Sequence, residues 1–407
     1  MWHRLEHAYG PATDVPGLLA QVRDPLHAGA AISELNMNLY CDGRGVYPAV
    51  PAALPALVDL AEDPAVAVRP AVVDTIGDLA HAGRTAHPRD VDPGWAAAWA
   101  RAVPRLLALL RDEDVEVRRA VTFPLAQAVD HADVPPALRA RFAAEPDRSA
   151  RLGLVVAHGR LPRGGASWPT GLLDHEDPAV RVAAVVGLRR AGVVADAHVA
   201  LLRDPGSGVW DQAWWVRTGG AAVVWWLSRE LREDRAARTR LMASWLPHPD
   251  PQVRAGALLA CAHPVDGEQV LPLVADRLAD EEPENRRVAA TLLARARAPY
   301  ADDLALAARD AYLPAADAAL TALAALGDER AVAPLLDRLT GPRLGLSLHR
   351  RADEAWRLPL LEDVLAAMRP HAAALLPALR DRLRATADPV EQGVLIKVFE
   401  DWQQDHR

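Results

Sequence analysis

Apolar residues recur along this chain in short helical stripes. Each is entered through the same polar step: an acidic residue, often proline, then Val-Arg and a run of small and branched apolar residues. The clearest copies are His175-Glu176-Asp177-Pro178-Ala179-Val180-Arg181-Val182-Ala183-Ala184 and His248-Pro249-Asp250-Pro251-Gln252-Val253-Arg254-Ala255-Gly256-Ala257. A third is Asp114-Val115-Glu116-Val117-Arg118-Arg119-Ala120-Val121. Weaker copies join Asp63 to Arg69, Asp147 to Arg151, Asp211 to Arg217 and Glu282 to Arg286, with a last one near Asp388-Pro389-Val390. Arginines 69, 118, 151, 181, 217, 254 and 287 follow one another at 49, 33, 30, 36, 37 and 33 residues, the length of one helical hairpin per copy.

The acidic residue stands where an N-cap accepts hydrogen bonds from the first free N–H groups of a helix. Proline beside it costs nothing in the first turn, where its missing N–H has no partner to lose. In the pairs 114/118, 147/151, 177/181 and 250/254, Asp and Arg lie four apart, so they can pair on one helix face or reach a neighbouring copy. No single hairpin buries its apolar face alone, so the copies must stack.

The periodicity predicts helices over 12–22, 27–40, 48–61, 65–82, 94–111, 114–129, 135–145, 148–160, 177–191, 209–232, 235–246, 251–262, 268–279, 284–297, 301–310, 314–326, 329–339, 351–368, 372–385 and 389–402, and requires no strand. The expected architecture is all-α, a right-handed α-α superhelix running through residues 1–407 as one continuous, elongated and curved solenoid of about nine or ten hairpins. Long loops are expected near 83–93, 161–170 and 340–350, between stacked pairs.

These residues resemble the HEAT-type repeats, particularly the variety found in phycobilin lyases. Leu326-Gly327-Asp328-Glu329-Arg330-Ala331-Val332-Ala333-Pro334-Leu335 looks like that variety's characteristic string. The resemblance runs from about residue 12 to about residue 400. It implies the solenoid and carries no particular activity. The stretch Leu39-Tyr40-Cys41-Asp42-Gly43-Arg44-Gly45-Val46-Tyr47-Pro48-Ala49 also resembles a segment common in actinobacterial repeat proteins of unassigned role, with Asp42-Gly43-Arg44-Gly45 departing from the pattern there.

Composition narrows the reading. Proline supplies 33 of 407 residues, above the usual ~5%, which suits helices restarted many times. The formal charge of −8 gives no global attraction to nucleic acid or to an anionic membrane. Lys397 is the only lysine, so 45 of the 46 basic residues are arginine, as a GC-rich genome would favour. Cys41 and Cys261 stand far apart in sequence, and no apolar run approaches the ~18 residues of a membrane span, so neither a disulfide framework nor a membrane protein is expected. The N-terminal Met1-Trp2-His3-Arg4 has no signal-peptide pattern, and the expected location is the cytoplasm.

Catalytic motifs are scarce. The chain has no G-x-x-x-x-G-K-[ST], no G-x-S-x-G, no H-E-x-x-H and no C-x-x-C, and neither a cofactor nor a metal is expected. His3 and His7 lie four apart but lack an evident third ligand, and Cys41 reads as a structural thiol. Glu34, Asn36, Asn38 and Asp42 either line a small polar pocket or cap helix ends.

The unusual segment is 208–228, which holds five of the 12 tryptophans. On a continuous helix, Trp210, Trp214, Arg217, Trp225 and Ser228 fall within about 80° of one another, with Trp215 and Trp226 on a second face. Arginine beside indoles suits cation–π packing. Trp210, Asp211, Trp214, Arg217 and Trp225 are therefore the candidate binding residues, unless the tryptophans are bulky filler beside Gly219-Gly220. Arg69, Arg118, Arg181, Arg254 and Arg287 form a candidate arginine ladder for acidic groups. The expected function is a non-catalytic scaffold that binds another protein or peptide on its concave face, as an assembly factor or an immunity-type neutraliser. The alternative is a HEAT-like DNA glycosylase, or a lyase-type enzyme or chaperone, with a Trp/Arg/Asp pocket at 210–226. Nucleic acid is the weaker partner because duplex binding requires a basic face.

Overall fold

The computed structural model describes residues 2–162, 165–190, 200–203, 219–231, 234–262, 267–342, 344–346 and 359–404. The chain divides into two compact units, Met1–Gly219 and Gly220–Arg407. Helices dominate both.

The first unit opens with a short antiparallel pair, β1 (Glu6–His7) and β2 (Gly10–Pro11), in which Glu6 faces Pro11 and His7 faces Gly10. This corrects the strand-free expectation, as does a single parallel bridge between Val46 and Val91. The helices are α1 (Val15–Gln21), α2 (Ala28–Tyr40), α3 (Ala49–Glu62), α4 (Arg69–Thr85), α5 (Trp95–Ala108), α6 (Val115–Leu125), α7 (Val134–Ala144), α8 (Arg148–Gly159), α9 (Ser167–Gly171) and α10 (Pro178–Arg190). The even-numbered helices pack side by side in chain order. Behind them α1 packs on α3 and α3 on α5, while α7 backs α8 and α9 backs α10. The five-residue α9 lies partly inside the stretch expected to be the loop 161–170.

The second unit contains α11 (Gly219–Glu230), α12 (Arg235–Trp245), α13 (Pro251–Ala260), α14 (Gly267–Asp276), α15 (Pro283–Ala296), α16 (Ala301–Ala307), α17 (Leu313–Ala325), α18 (Val332–Thr340), α19 (Leu361–Ala367), α20 (Ala372–Ala385) and α21 (Pro389–Gln404). Here α13, α15, α17, α19 and α21 form the continuous row, with α12 on α14 and α18 on α20 behind it. Each unit is thus a stack of helical hairpins. The described part of the expected helix 209–232 is Gly219–Glu230, and of 351–368 it is Leu361–Ala367.

Local chemistry sets the helix starts as expected. Asp114, Asp147, Asp234 and Asp250 accept from Glu116 N, Ala150 N, Ala237 N and Gln252 N. Pro70, Pro135, Pro251 and Pro283 sit in first turns. Proline does more than start helices, however: Pro55, Pro104, Pro272 and Pro377 stand inside α3, α5, α14 and α20, where each removes one backbone donor.

Small residues let the rows close up. Ala315 through Ala325 of α17 are all buried, a run in which nine of the eleven residues contribute only a methyl or a short polar side chain. Gly159 of α8 and Gly187 of α10 meet backbone to backbone, since a methyl added at Gly159 would fall 2.1 Å from Gly187 Cα. Part of the expected loop 340–350 is packed as well. Leu344 and Leu346 are buried, and Gly345, at φ +70°, rests on the Asp317 carboxylate of α17.

Candidate functional site

The ladder arginines turn inward to their own chain. Arg69, at the start of α4, donates Nε to Ala61 O (2.8 Å), and four others, each one turn into its helix, donate Nη1 back to the carbonyls five and six residues earlier. Arg118 reaches Asp112 O (2.9 Å) and Glu113 O (3.0 Å), and Arg181 reaches His175 O (2.8 Å) and Glu176 O (3.2 Å). Arg254 reaches His248 O and Pro249 O, both at 2.9 Å, and Arg286 reaches Asp280 O (2.9 Å) and Glu281 O (3.3 Å).

The rest of the guanidinium crosses to the next copy. Arg69 grips Asp112, Arg118 grips Glu145 with Nε at 3.0 Å, Arg254 grips Asp280 with Nε at 2.7 Å, and Arg286 grips Asp310 with Nε at 2.5 Å. Arg23 and Asp63 make a further rung at the start of the series. The acceptor does double work: its other lone pairs take the N–H two residues on, Ala65 for Asp63, Asp114 for Asp112, Asp147 for Glu145, Glu282 for Asp280 and Tyr312 for Asp310. One rung therefore closes a turn and ties two hairpins together.

Burial raises the carboxyls of Asp112, Glu145 and Asp280, but arginine and backbone N–H bonds outweigh it and hold all three below the usual range. The Arg286 guanidinium does the same for Asp310.

Two corrections follow. The i,i+4 Asp within each copy does not pair with its own ladder arginine: it accepts N–H groups of its helix's first turn, and Asp147 and Asp177 are instead reached by Arg119 and Arg148 of the preceding copy. The ladder residue of the Glu282 copy is Arg286, because it reaches Asp310 of the next copy while Arg287 pairs with Glu284 three residues back. Sequence reasoning missed the acceptors, although their signal was present: Asp63, Asp112, Glu145, His175 and Asp280 each stand six residues before Arg69, Arg118, Arg151, Arg181 and Arg286.

Of the aromatic candidates, Trp210, Asp211, Trp214 and Arg217 lie outside the described residues. Trp225 is half-buried, and the Arg229 guanidinium stacks on its ring at 4.7 Å from the centroid. Trp226 is buried beside it, as is Ser228, which makes it core on that side of α11.

The N-terminal polar residues separate rather than line one pocket. Asn38 donates to Asp14 (2.9 Å), and His7 Nδ1 accepts from Tyr9 N (3.1 Å). That leaves the His7 proton on Nε2, which donates to Asp14 at 3.1 Å. Asn36 instead crosses to Asp78 of α4 (2.9 Å), Glu34 is exposed, and the Asp42 side chain lies outside the described residues. Cys41, at φ 39°, points its Sγ toward the Tyr9 hydroxyl at 3.9 Å.

In the second unit an open cleft of about 640 Å³ is lined by Arg235, Gly267, Glu268, Leu271, Pro299 and Tyr300. Among the described residues, no group of three or more His, Cys, Asp or Glu side chains is placed to hold a metal ion. No helix among them is long and apolar enough to cross a membrane.

No family model matches this chain, and no curated protein matches it. Among solved structures, the Escherichia coli protein YibA is similar over 77% of this chain and 98% of its own, at 13% identity and a TM-score of 0.44. An engineered protein is similar over 96% of this chain and 99% of its own, at 15% identity and a TM-score of 0.31. Both likenesses concern the fold alone. The chain's own packing, hairpin on hairpin with a recurring rung, is that of an all-α helical-repeat protein.

Proposed function

We propose that this chain is a non-catalytic scaffold that binds another protein or peptide, built from HEAT-like repeats of the phycobilin-lyase variety. The observation that carries the reading is the series of buried rungs. Within each unit they tie successive hairpins together before any partner arrives, so little ordering has to be done on binding.

The same rungs occupy Arg69, Arg118 and Arg254, which moves recognition to other residues. Trp225 with its stacked Arg229, together with Trp210, Asp211, Trp214 and Arg217 upstream, is the proposed contact segment, since indole and guanidinium groups recur at energetic centres of interfaces. An assembly factor or an immunity-type neutraliser fits this form.

The test is capture from native lysate with tagged chain, with and without nuclease, followed by cross-linking and mass spectrometry. The expected result is one stoichiometric protein cross-linked near 210–229 and lost in the double variant Trp214→Ala/Arg217→Ala, with helical circular dichroism retained. Capture that vanishes with nuclease, together with a mobility shift of DNA at low salt, would overturn the scaffold in favour of a nucleic-acid enzyme.

A further inference from the structure

One rung of the first unit departs from the others. Where Asp112, Glu145, Asp280 and Asp310 present carboxylates, the turn before α10 presents His175. Its Nδ1 faces the Asp177 N–H at 3.0 Å and its Nε2 faces Arg151 Nη2 at 3.2 Å. Both neighbours are donors, and a neutral imidazole can accept at only one nitrogen. A protonated ring can accept at neither, and would stand against the Arg151 cation.

A second histidine lies at the same joint. His158 of α8 is 0% exposed, and neither of its ring nitrogens has a hydrogen-bond partner. Trp168 of α9 packs edge-on against it at 4.6 Å. Trp168 in turn meets Phe142 of α7 at 5.4 Å, and Phe142 touches the His175 ring at 6.1 Å and carries the Arg151 guanidinium at 4.7 Å. The two histidines are thus joined through one aromatic chain spanning α7, α8, α9 and the turn before α10.

The charges around them are accounted for. Arg151 of α8 faces the His175 ring, Arg181 of α10 holds its carbonyl, and Asp177, two residues on, is tied to Arg148 of α8. Arg139 of α7 acts on His158 and adds to the effect of burial, which together lower its pKa to about 4. Burial is the larger cause.

We propose that the joint between α8 and α10 is acid-labile: protonation of His175 and His158 parts it while the carboxylate rungs earlier in the unit hold. Carboxylates do not blur the response, because Asp112, Glu145, Asp147 and Asp177 are all held below their usual range and stay ionised in mild acid.

Amide hydrogen exchange on the full chain, corrected for intrinsic rates, tests this at about pH 7.5 and about pH 5, the span in which histidine alone among ordinary side chains changes charge. Protection in α8, α9 and α10 should fall by about tenfold or more at the lower pH, while that of α4 and α6 stays within about twofold. The double variant His175→Gln/His158→Leu, which has no titrating ring at the joint and a neutral acceptor at 175, should lose the difference. Equal protection at both pH values, an equal loss in α4 and α6, or a loss that persists in the double variant each overturns the proposal. Should the double variant not fold, ring NMR of the unmodified chain decides. His158 must titrate together with the loss of protection, and titration with the joint closed overturns the proposal equally.

Discussion

Removing Arg254 gives the sharpest measure of a rung. The Nε donates to Asp280 Oδ2 (2.7 Å), Nη2 to Asp280 Oδ1 (3.1 Å) and to Glu281 (2.7 Å), and Nη1 to the carbonyls of His248 and Pro249 (both 2.9 Å). All the N–H donors of a guanidinium are used. The Asp280 side chain is 0% exposed, so Arg254→Ala strands a carboxylate that retains Asn285 (3.2 Å), the Glu282 N–H (3.0 Å) and a long Arg277 contact (3.5 Å). Deleting one partner of a buried pair costs about 3–5 kcal/mol. By contrast, Arg287→Ala removes an exposed pair with Glu284 and should cost less than about 1 kcal/mol. Arg254→Lys keeps the charge but cannot reproduce the fork, and should recover less than half of the loss.

Urea denaturation followed by helical circular dichroism measures all three variants. The double variant Arg254→Ala/Asp280→Ala removes the stranded charge as well, and should fall short of the summed single losses by about 0.5–3 kcal/mol. The sign with pH is also fixed. Asp280's carboxyl is held below its ordinary value, so the rung's contribution is complete above the normal carboxylate range and is lost as pH falls toward the folded value. An Arg254→Ala cost equal to that of Arg287→Ala, or strict additivity in the double variant, would refute the reading of the rung as a buried staple.

Three other outcomes are expected. Gly159→Ala should destabilise by about 1–3 kcal/mol or more in thermal or urea unfolding, because the added methyl meets the Gly187 backbone, which has no side chain to swing aside. Burial pushes the Cys261 thiol up to about 12, so a thiol reagent at about pH 8 should label the native chain at Cys41 well before Cys261, and both together in urea. His158, lowered to about 4, charges more readily unfolded than folded. Its contribution is therefore whole above the unfolded value of about 6.5 and falls by about 3 kcal/mol as pH drops to 4, a slope that His158→Leu should remove from the stability curve.

The fold was legible because each hairpin advertises its own start. An acidic residue followed within a few positions by arginine marks α6, α8, α10, α13 and α15 in the sequence, with the full Asp-Pro-x-Val-Arg form at α10 and α13, and the helices begin within about two residues of those marks. What escaped was non-local. The β1–β2 pair is two residues per strand, too short for any alternation to show, and it is held by Asn38 and Asp14 from other elements. Arg286 and Arg287 are adjacent, and the six-residue spacing from Asp280 that selects the first gains its meaning only once Asp310 is seen across the hairpin boundary. His175 looked like part of a motif when it was in fact the acceptor of the preceding copy's arginine, a role that depends on which side chain arrives from α8.

The arginine excess reads differently once the rungs are known. A codon preference can supply arginine, but it does not explain why Arg118, Arg254 and Arg286 each hold two backbone carbonyls and a carboxylate at once. Lysine is a compact point charge with three donors on a flexible stem and cannot span both hairpins in one fixed plane. The planar fork is therefore the element that sets the stacking of one copy on the next, and its cost in desolvation is offset by bonds at every nitrogen. A guanidinium spent in this way is not available to a ligand. On the proposed scaffold reading, recognition falls to side chains that break the repeat, of which the tryptophan segment ending at Trp225 and Trp226 is the densest in the sequence. Regularity builds the stack, and under that reading its departures from regularity are what a partner would contact.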